Sequence, residues 1–182
     1  MKVKIAIERS LVVALPYKQV TPLLQDLERT IGRFPKLRQL TRIGDNAYRW
    51  DMHPIGSKLA NISHAVSYGA QYHVDPKKGL VRWDAMPKQG NASIEGCFSL
   101  HGDDEQTRLE FQVEGELYDV PVPLLYRPIA PAFIQGRFSA LVDIFLERTG
   151  DALALPESTI NAARKSVQTT TKHTAKQGKG SR

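Results

Sequence analysis

The sequence has a single cysteine, Cys97, among its 182 residues. One cysteine excludes an internal disulfide and any metal site built from several cysteines. No apolar run approaches the length that crosses a bilayer. Charges interrupt the first ten residues (MKVKIAIERS), which therefore lack the continuous apolar segment of a secretory signal. We therefore expect a cytoplasmic protein.

Acidic residues are scarce near the end of the chain. After Pro156 there is one, Glu157, against six basic residues: Arg164, Lys165, Lys172, Lys176, Lys179 and Arg182. The rest of the chain has 19 basic and 18 acidic residues, so nucleic-acid binding by the folded part is not expected. Residues 156–182 contain too few apolar side chains to fold and are predicted to be a disordered tail. This basic tail either binds anionic lipid or nucleic acid weakly or only solubilises the domain.

Several chemical signatures are also missing. Gly90, Gly96 and Gly102 have the spacing of strand residues and not that of a phosphate-binding loop. No pair of histidines at helical spacing suggests a metal site, and Cys97 has no neighbouring base that would activate it as a nucleophile. The sequence therefore predicts no metal, no cofactor and no catalytic group of these kinds.

The N-terminal part of the chain predicts a strand followed by a helix. Residues 2–14 predict a strand or a bent pair of strands, because Val3, Ile5 and Ile7 alternate with other residues and residues 11–13 continue the apolar run without clean alternation. Thr21 and Pro22 are suited to begin a helix, and Gly32 and Pro35 to end it. The helix is indicated by apolar residues at three- and four-residue steps: Val20, Leu23, Leu24, Leu27 and Ile31.

Between residues 37 and 117 the apolar residues recur at every second position, which predicts antiparallel strands joined as a meander. A long alternation over residues 62–74 predicts one strand. After Pro121 the spacing becomes helical again, and an apolar stripe from Phe133 to Leu146 predicts a closing helix that ends at Gly150. An antiparallel sheet with one apolar face needs a cover, and the closing helix is the only element long enough to provide it.

This order of elements resembles the helix-grip fold of the SRPBCC or START-like superfamily, which includes polyketide cyclase-like and coenzyme Q-binding proteins. The resemblance covers roughly residues 2–153 and implies an α+β domain, residues 1–155, with a curved antiparallel sheet wrapped around a long C-terminal helix. It rests on three stretches: VVALPYKQVTPLLQDLERTIGRFPKL, LVRWDAMPKQGNASIEGCFSL and PVPLLYRPIAPAFIQGRFSALVDIFLERTG.

The resemblance also implies a cavity between the sheet and the closing helix. Relatives bind lipids, quinones or polyketides in that space. Gly96 and Gly115 would help to keep it open, because they add no side-chain volume. The candidate lining residues share the inner face of the strands or the closing helix: Tyr48, Trp50, His64, Tyr72, Trp83, Phe98, Phe111, Phe133, Arg137 and Leu141. Each aromatic residue among them either lines a cavity or fills a solid core.

Three functions follow from these patterns. The first is a non-enzymatic binding or carrier domain for a hydrophobic small molecule, which the absence of a catalytic constellation favours. The second is an aromatase/cyclase-type enzyme, for which His64, Tyr72 and Arg137 are the candidate polar groups. The third is a protein-interaction module that uses the outer face of the sheet or the tail.

Overall fold

A computed structural model describes residues 1–57 and 62–154 of the chain, and its main feature is one large sheet. The strands are β1 (Val3–Val13), β2 (Leu37–Gly44), β3 (Ala47–Met52), β4 (Ile55–Ser57), β5 (Ile62–His64), β6 (Ser67–Asp75), β7 (Leu80–Met86), β8 (Ala92–Gly102) and β9 (Thr107–Leu117). Strands β4 and β5 pair separately, and the other seven form an antiparallel sheet in the order β1-β9-β8-β7-β6-β3-β2. The predicted tail, residues 156–182, lies outside the described residues.

The predicted N-terminal helix is divided into three short ones: α1 (Tyr17–Val20), α2 (Pro22–Gln25) and α3 (Leu27–Ile31). The prediction of one continuous helix was wrong for a local reason. Asp26 leaves the helical region at φ −111° and ψ 76°, and its side chain accepts a hydrogen bond from the backbone nitrogen of Arg29, as a helix N-cap does. The apolar residues that predicted the helix are all buried, so the periodicity located the buried face correctly.

The long alternation over residues 62–74 is also divided, between β5 and β6. Asn91 occupies the break. Its side-chain oxygen accepts from the backbone nitrogen of Ser67 at 2.8 Å, and its side-chain nitrogen donates to the carbonyl of Ala65 at 2.8 Å. Beyond the break the inner face continues to Tyr68 and Tyr72, which are both buried.

The closing helix, α4 (Ala130–Ala154), supplies the cover that the sheet needs. Its buried stripe includes Ile134, Phe138, Val142 and Phe145. The prediction that Gly150 ends this helix was wrong. A glycine inside a helix costs only about 1 kcal/mol relative to alanine, so it does not end a helix by itself. Among the described residues, no helix combines the length and the apolar character needed to span a membrane.

Helix α4 is attached to the free edge of β1. The side-chain amide of Gln135 donates to the carbonyl of Ala6 at 2.5 Å and accepts from the nitrogen of Ala6 at 3.1 Å. The amide thus bonds to the strand edge as a further strand would. Further along, Nε of Arg9 lies 2.7 Å from a carboxylate oxygen of Asp143. These bonds satisfy part of the exposed edge and hold the helix along it.

Replacing Gln135 with alanine should remove both bonds to Ala6. We expect the free energy of unfolding to fall by about 1 kcal/mol, because solvent-accessible hydrogen bonds contribute roughly that much. Gln19→Ala, at an exposed helical position, is the matched control for the intrinsic helix preference of alanine. Urea unfolding of both variants measures the difference. Equal stabilities for the two variants would contradict the edge attachment.

Candidate ligand-binding site

A cavity of about 70 Å³ lies between the inner face of the sheet and α4. Side chains from α2, α3, six strands of the sheet and α4 form its wall. Five of the predicted residues line it: Trp50, Tyr72, Trp83, Phe98 and Phe111. The cavity is therefore located where the alternating apolar row of the strands faces the closing helix.

Six aromatic side chains line this cavity in a series in which each contacts the next. We call them the aromatic belt: Phe34, Trp50, Tyr72, Trp83, Phe111 and Phe145. From Tyr72 the ring centroids follow at 5.8 Å to Trp83, 5.7 Å to Phe111 and 5.6 Å to Phe145. Phe34 then lies 5.5 Å from both Phe145 and Trp50. These distances are those of favourable aromatic pairs.

A hydrogen bond completes the belt. The indole Nε1 of Trp50 donates to the hydroxyl oxygen of Tyr72 at 3.1 Å in a buried position. Among the described residues that line the cavity there is no Asp, Glu, Lys, Arg or His. Burial raises the pKa of Tyr72 and of the neighbouring Tyr68 well above the usual range, so both hydroxyls are neutral donors and acceptors. A cavity with such a wall favours neutral apolar molecules, since an unpaired charge is costly there.

A second cavity, of about 10 Å³, contains two other predicted residues, His64 and Arg137. Phe138 of α4 lines both cavities and lies between them. The Nε2 atom of His64 is 3.1 Å from the side-chain nitrogen of Asn91. Because the oxygen of that amide is engaged by Ser67, Nε2 acts as an acceptor in this pair. Burial lowers the pKa of His64, which favours the neutral imidazole that this bond requires.

The remaining predicted residues line neither cavity. Tyr48 is buried behind the wall, with its ring edge-on to Tyr72 at 5.8 Å. Leu141 is buried elsewhere on α4. Phe133 is half-buried, and the guanidinium of the exposed Arg137 lies 5.2 Å from its ring centre. The proposed binding role of all ten residues stays a prediction.

Several lining residues were missed by the sequence reasoning. Tyr68 lies four residues before Tyr72 on β6 and therefore faces the same side of the sheet. Phe145 belongs to the apolar stripe of α4. The periodicity of the sequence could therefore have identified both. Phe34 lies on the turn after α3, where no periodicity applies. Only its three-dimensional contacts identify it as part of the wall.

The expectation for the glycines was also wrong. A Cβ atom on Gly96 would lie 2.6 Å from the indole of Trp83, and one on Gly115 would lie 2.3 Å from the carbonyl oxygen of Ser93. The space beside Gly96 is therefore occupied by an aromatic ring of the wall. Both glycines allow close packing of neighbouring groups and do not keep volume open for a ligand.

Neither a family model nor a curated protein matches the sequence. The folded chain is nevertheless similar to solved structures. A START superfamily protein from Mycobacterium smegmatis has a TM-score of 0.56 at 15% identity, covering 82% of this chain and 99% of that one. The Zhui aromatase/cyclase from Streptomyces sp. R1128 has a TM-score of 0.53 at 14% identity, covering 80% and 93%. The protein TTHA0849 from Thermus thermophilus has a TM-score of 0.52 at 20% identity, covering 82% and 98%.

The chain has a helix-grip α+β fold, similar to that of the START superfamily structure. The predicted architecture, an antiparallel sheet closed by a long C-terminal helix, is confirmed. Sequence identities of 14–20% support the similarity of fold and do not identify a ligand.

The polar candidates for catalysis do not converge in this helix-grip domain. Tyr72 lines the larger cavity, whereas His64 and Arg137 line the smaller one on the other side of Phe138. Among the described residues these three groups therefore do not surround one substrate. This geometry does not support an acid–base mechanism that uses all three.

The buried tyrosine hydroxyls predict how the stability of the protein changes at alkaline pH. The hydroxyls of Tyr68 and Tyr72 have raised pKa values in the folded state, so unfolding makes both easier to ionise. Their burial stabilises the fold fully below the ordinary tyrosine pKa of about 10 and contributes progressively less as the pH rises above it. We expect the free energy of unfolding to fall from about pH 10 upward.

Ultraviolet titration tests this directly. At least two of the six tyrosines should form phenolate only as the protein unfolds, and Tyr72→Phe should remove one of these late groups. Ionisation of all six while circular dichroism still reports the native fold would contradict burial of these hydroxyls.

Proposed function

We propose that this protein binds a neutral hydrophobic small molecule inside the aromatic belt. The supporting observation is a cavity between sheet and helix whose described lining is mainly aromatic and aliphatic, with Thr30 as a further polar residue and no acidic or basic side chain. The hydroxyl of Tyr72 and the indole of Trp50 provide one polar position at which a carbonyl or hydroxyl group of the ligand would be oriented. Ligand sites of this kind are mainly apolar with a few polar groups.

The size of the cavity limits which ligands can enter it without a movement of its wall. Sites for drug-sized molecules measure about 300–1,000 Å³, and a dry cavity of about 150 Å³ accepts benzene or xenon. At about 70 Å³, the cavity accommodates only a very small apolar molecule. A quinone, lipid or polyketide-like ligand therefore requires part of the wall to move.

Phe34 is the part of the belt best placed to move. It lies on the turn between α3 and β2 and is half-exposed, whereas Trp50 and Phe145, which its ring contacts, are buried. The backbone carbonyl of its neighbour Arg33 accepts a hydrogen bond from the Arg148 side chain at 3.2 Å, which links this turn to α4. An outward rotation of the Phe34 ring would enlarge the cavity without breaking a strand.

Tryptophan fluorescence provides the test, because Trp50 and Trp83 are the two tryptophans of the chain and both belong to the belt. We expect 1-naphthol or decylubiquinone to quench it saturably, with a dissociation constant on the order of micromolar. Phe34→Ala should speed association severalfold, because the ring no longer blocks the cavity. Phe133→Ala is the matched control, since Phe133 is also half-exposed but lines neither cavity.

The proposal is wrong if no probe quenches either the wild type or Phe34→Ala while both remain folded. A native mass spectrum of protein purified without detergent gives an independent measure. An added mass that is retained by the wild type and displaced by the quenching probe supports binding at the belt. Equal effects of Phe34→Ala and Phe133→Ala would show that Phe34 does not control access.

A further inference from the structure

Three large aliphatic side chains are exposed together on the connection between β9 and α4. Leu124 is 76% exposed, Leu125 82% and Ile129 60%. Single exposed aliphatic residues are ordinary, but a cluster of them marks an interaction surface. We call residues 120–130 the proline corner, after Pro121, Pro123 and Pro128.

The proline corner is anchored at both ends, so these side chains are held outward. Val120 and Ala130 are almost completely buried. Between them, Leu124–Tyr126 form a short 3-10 helix. The backbone nitrogen of Arg127 donates to the carbonyl of Leu124 at 3.3 Å, and that of Ile129 donates to the carbonyl of Tyr126 at 3.2 Å. The exposure of the leucines is therefore imposed by an ordered backbone.

The corner and the first half of α4 carry basic residues, and the exposed Asp119 directly precedes the corner. Between Asp119 and Asp143 the chain contains two basic residues, Arg127 and Arg137, and no acidic residue. Both arginines are exposed. Exposed aliphatic side chains next to arginines are typical of surfaces that lie against anionic lipid, where the arginines meet the headgroups and the aliphatic groups enter the acyl region.

We propose that the proline corner docks on the surface of an anionic lipid bilayer, with Leu124 and Leu125 inserted and Arg127 at the headgroups. A protein partner fits the corner less well. The most strongly binding residues of protein interfaces are enriched in Trp, Tyr and Arg, with Leu under-represented, whereas the most exposed residues here are two leucines. This proposal does not depend on the ligand proposed above.

The proline corner lies next to the second cavity, so the proposed docking surface adjoins the interior of the domain. Val120 at its start and Ile134 just after its end both line the second cavity, together with His64 and Arg137. Docking would therefore place this end of the domain against the lipid. Phe138 lines both this cavity and the larger one.

Vesicle co-sedimentation of the full chain tests the proposal, with vesicles of phosphatidylcholine alone and of equal parts phosphatidylcholine and phosphatidylserine. We expect the wild type to bind the anionic vesicles more tightly. Leu124→Glu combined with Leu125→Glu should lower the partition coefficient at least about tenfold, because the two leucines that insert into the bilayer are lost. Arg127→Gln should lower it about fivefold on anionic vesicles only.

Two further variants control the experiment. Val12→Glu adds a charge at another exposed aliphatic residue, 51% exposed on β1, and should reduce binding far less than the double variant. Leu124→Gln combined with Leu125→Gln removes the insertion without adding charge and should still weaken binding. All variants keep the basic tail, so its contribution is the same throughout.

Unchanged vesicle binding by the double glutamate variant would overturn the proposal, because the contact would then be made elsewhere, for example by the tail. An equal loss in Val12→Glu would also overturn it, since added charge alone would explain the effect. If the double variant changes only the oligomeric state in size-exclusion chromatography, the corner is a protein interface and the proposal is wrong.

Discussion

The contacts among six aromatic side chains determine what the interior of this helix-grip domain can hold. The belt draws one residue each from β3, β6, β7, β9, α4 and the turn after α3. Rigid rings that meet at centroid distances of 5.5–5.8 Å cannot collapse onto one another as flexible aliphatic chains can. The remaining volume is about 70 Å³ and its described lining is mainly apolar, a surface that interacts with a neighbour mainly through dispersion.

The belt depends on the position of α4. Gln135 and Asp143 hold the helix to the edge of β1, and Arg148 holds it to the turn that carries Phe34. The sheet and the helix therefore meet at defined distances, although most of these bonds are solvent-accessible and individually weak. Phe34 lies on the short turn after α3, outside the strands of the sheet.

The sheet and much of the cavity wall could be predicted from the sequence, because strand side chains alternate and hairpins align neighbouring strands. Tyr72, Trp83 and Phe111 were placed on one face in this way. The interruption at Asp26 could not be predicted, since a capping side chain competed with the helical spacing. The place of Phe34 in the cavity wall and the close contact of Gly96 with Trp83 could not be predicted either. Both depend on packing between segments that are distant in the sequence, which a local pattern does not show.

The most direct test of this account is a crystal structure determined under xenon pressure. Xenon occupies dry apolar cavities and needs no specific polar contact. The account predicts xenon inside the aromatic belt, between the side chains of the sheet and Phe145 of α4. Well-ordered crystals that show no xenon there, with the belt side chains filling the space, would contradict it.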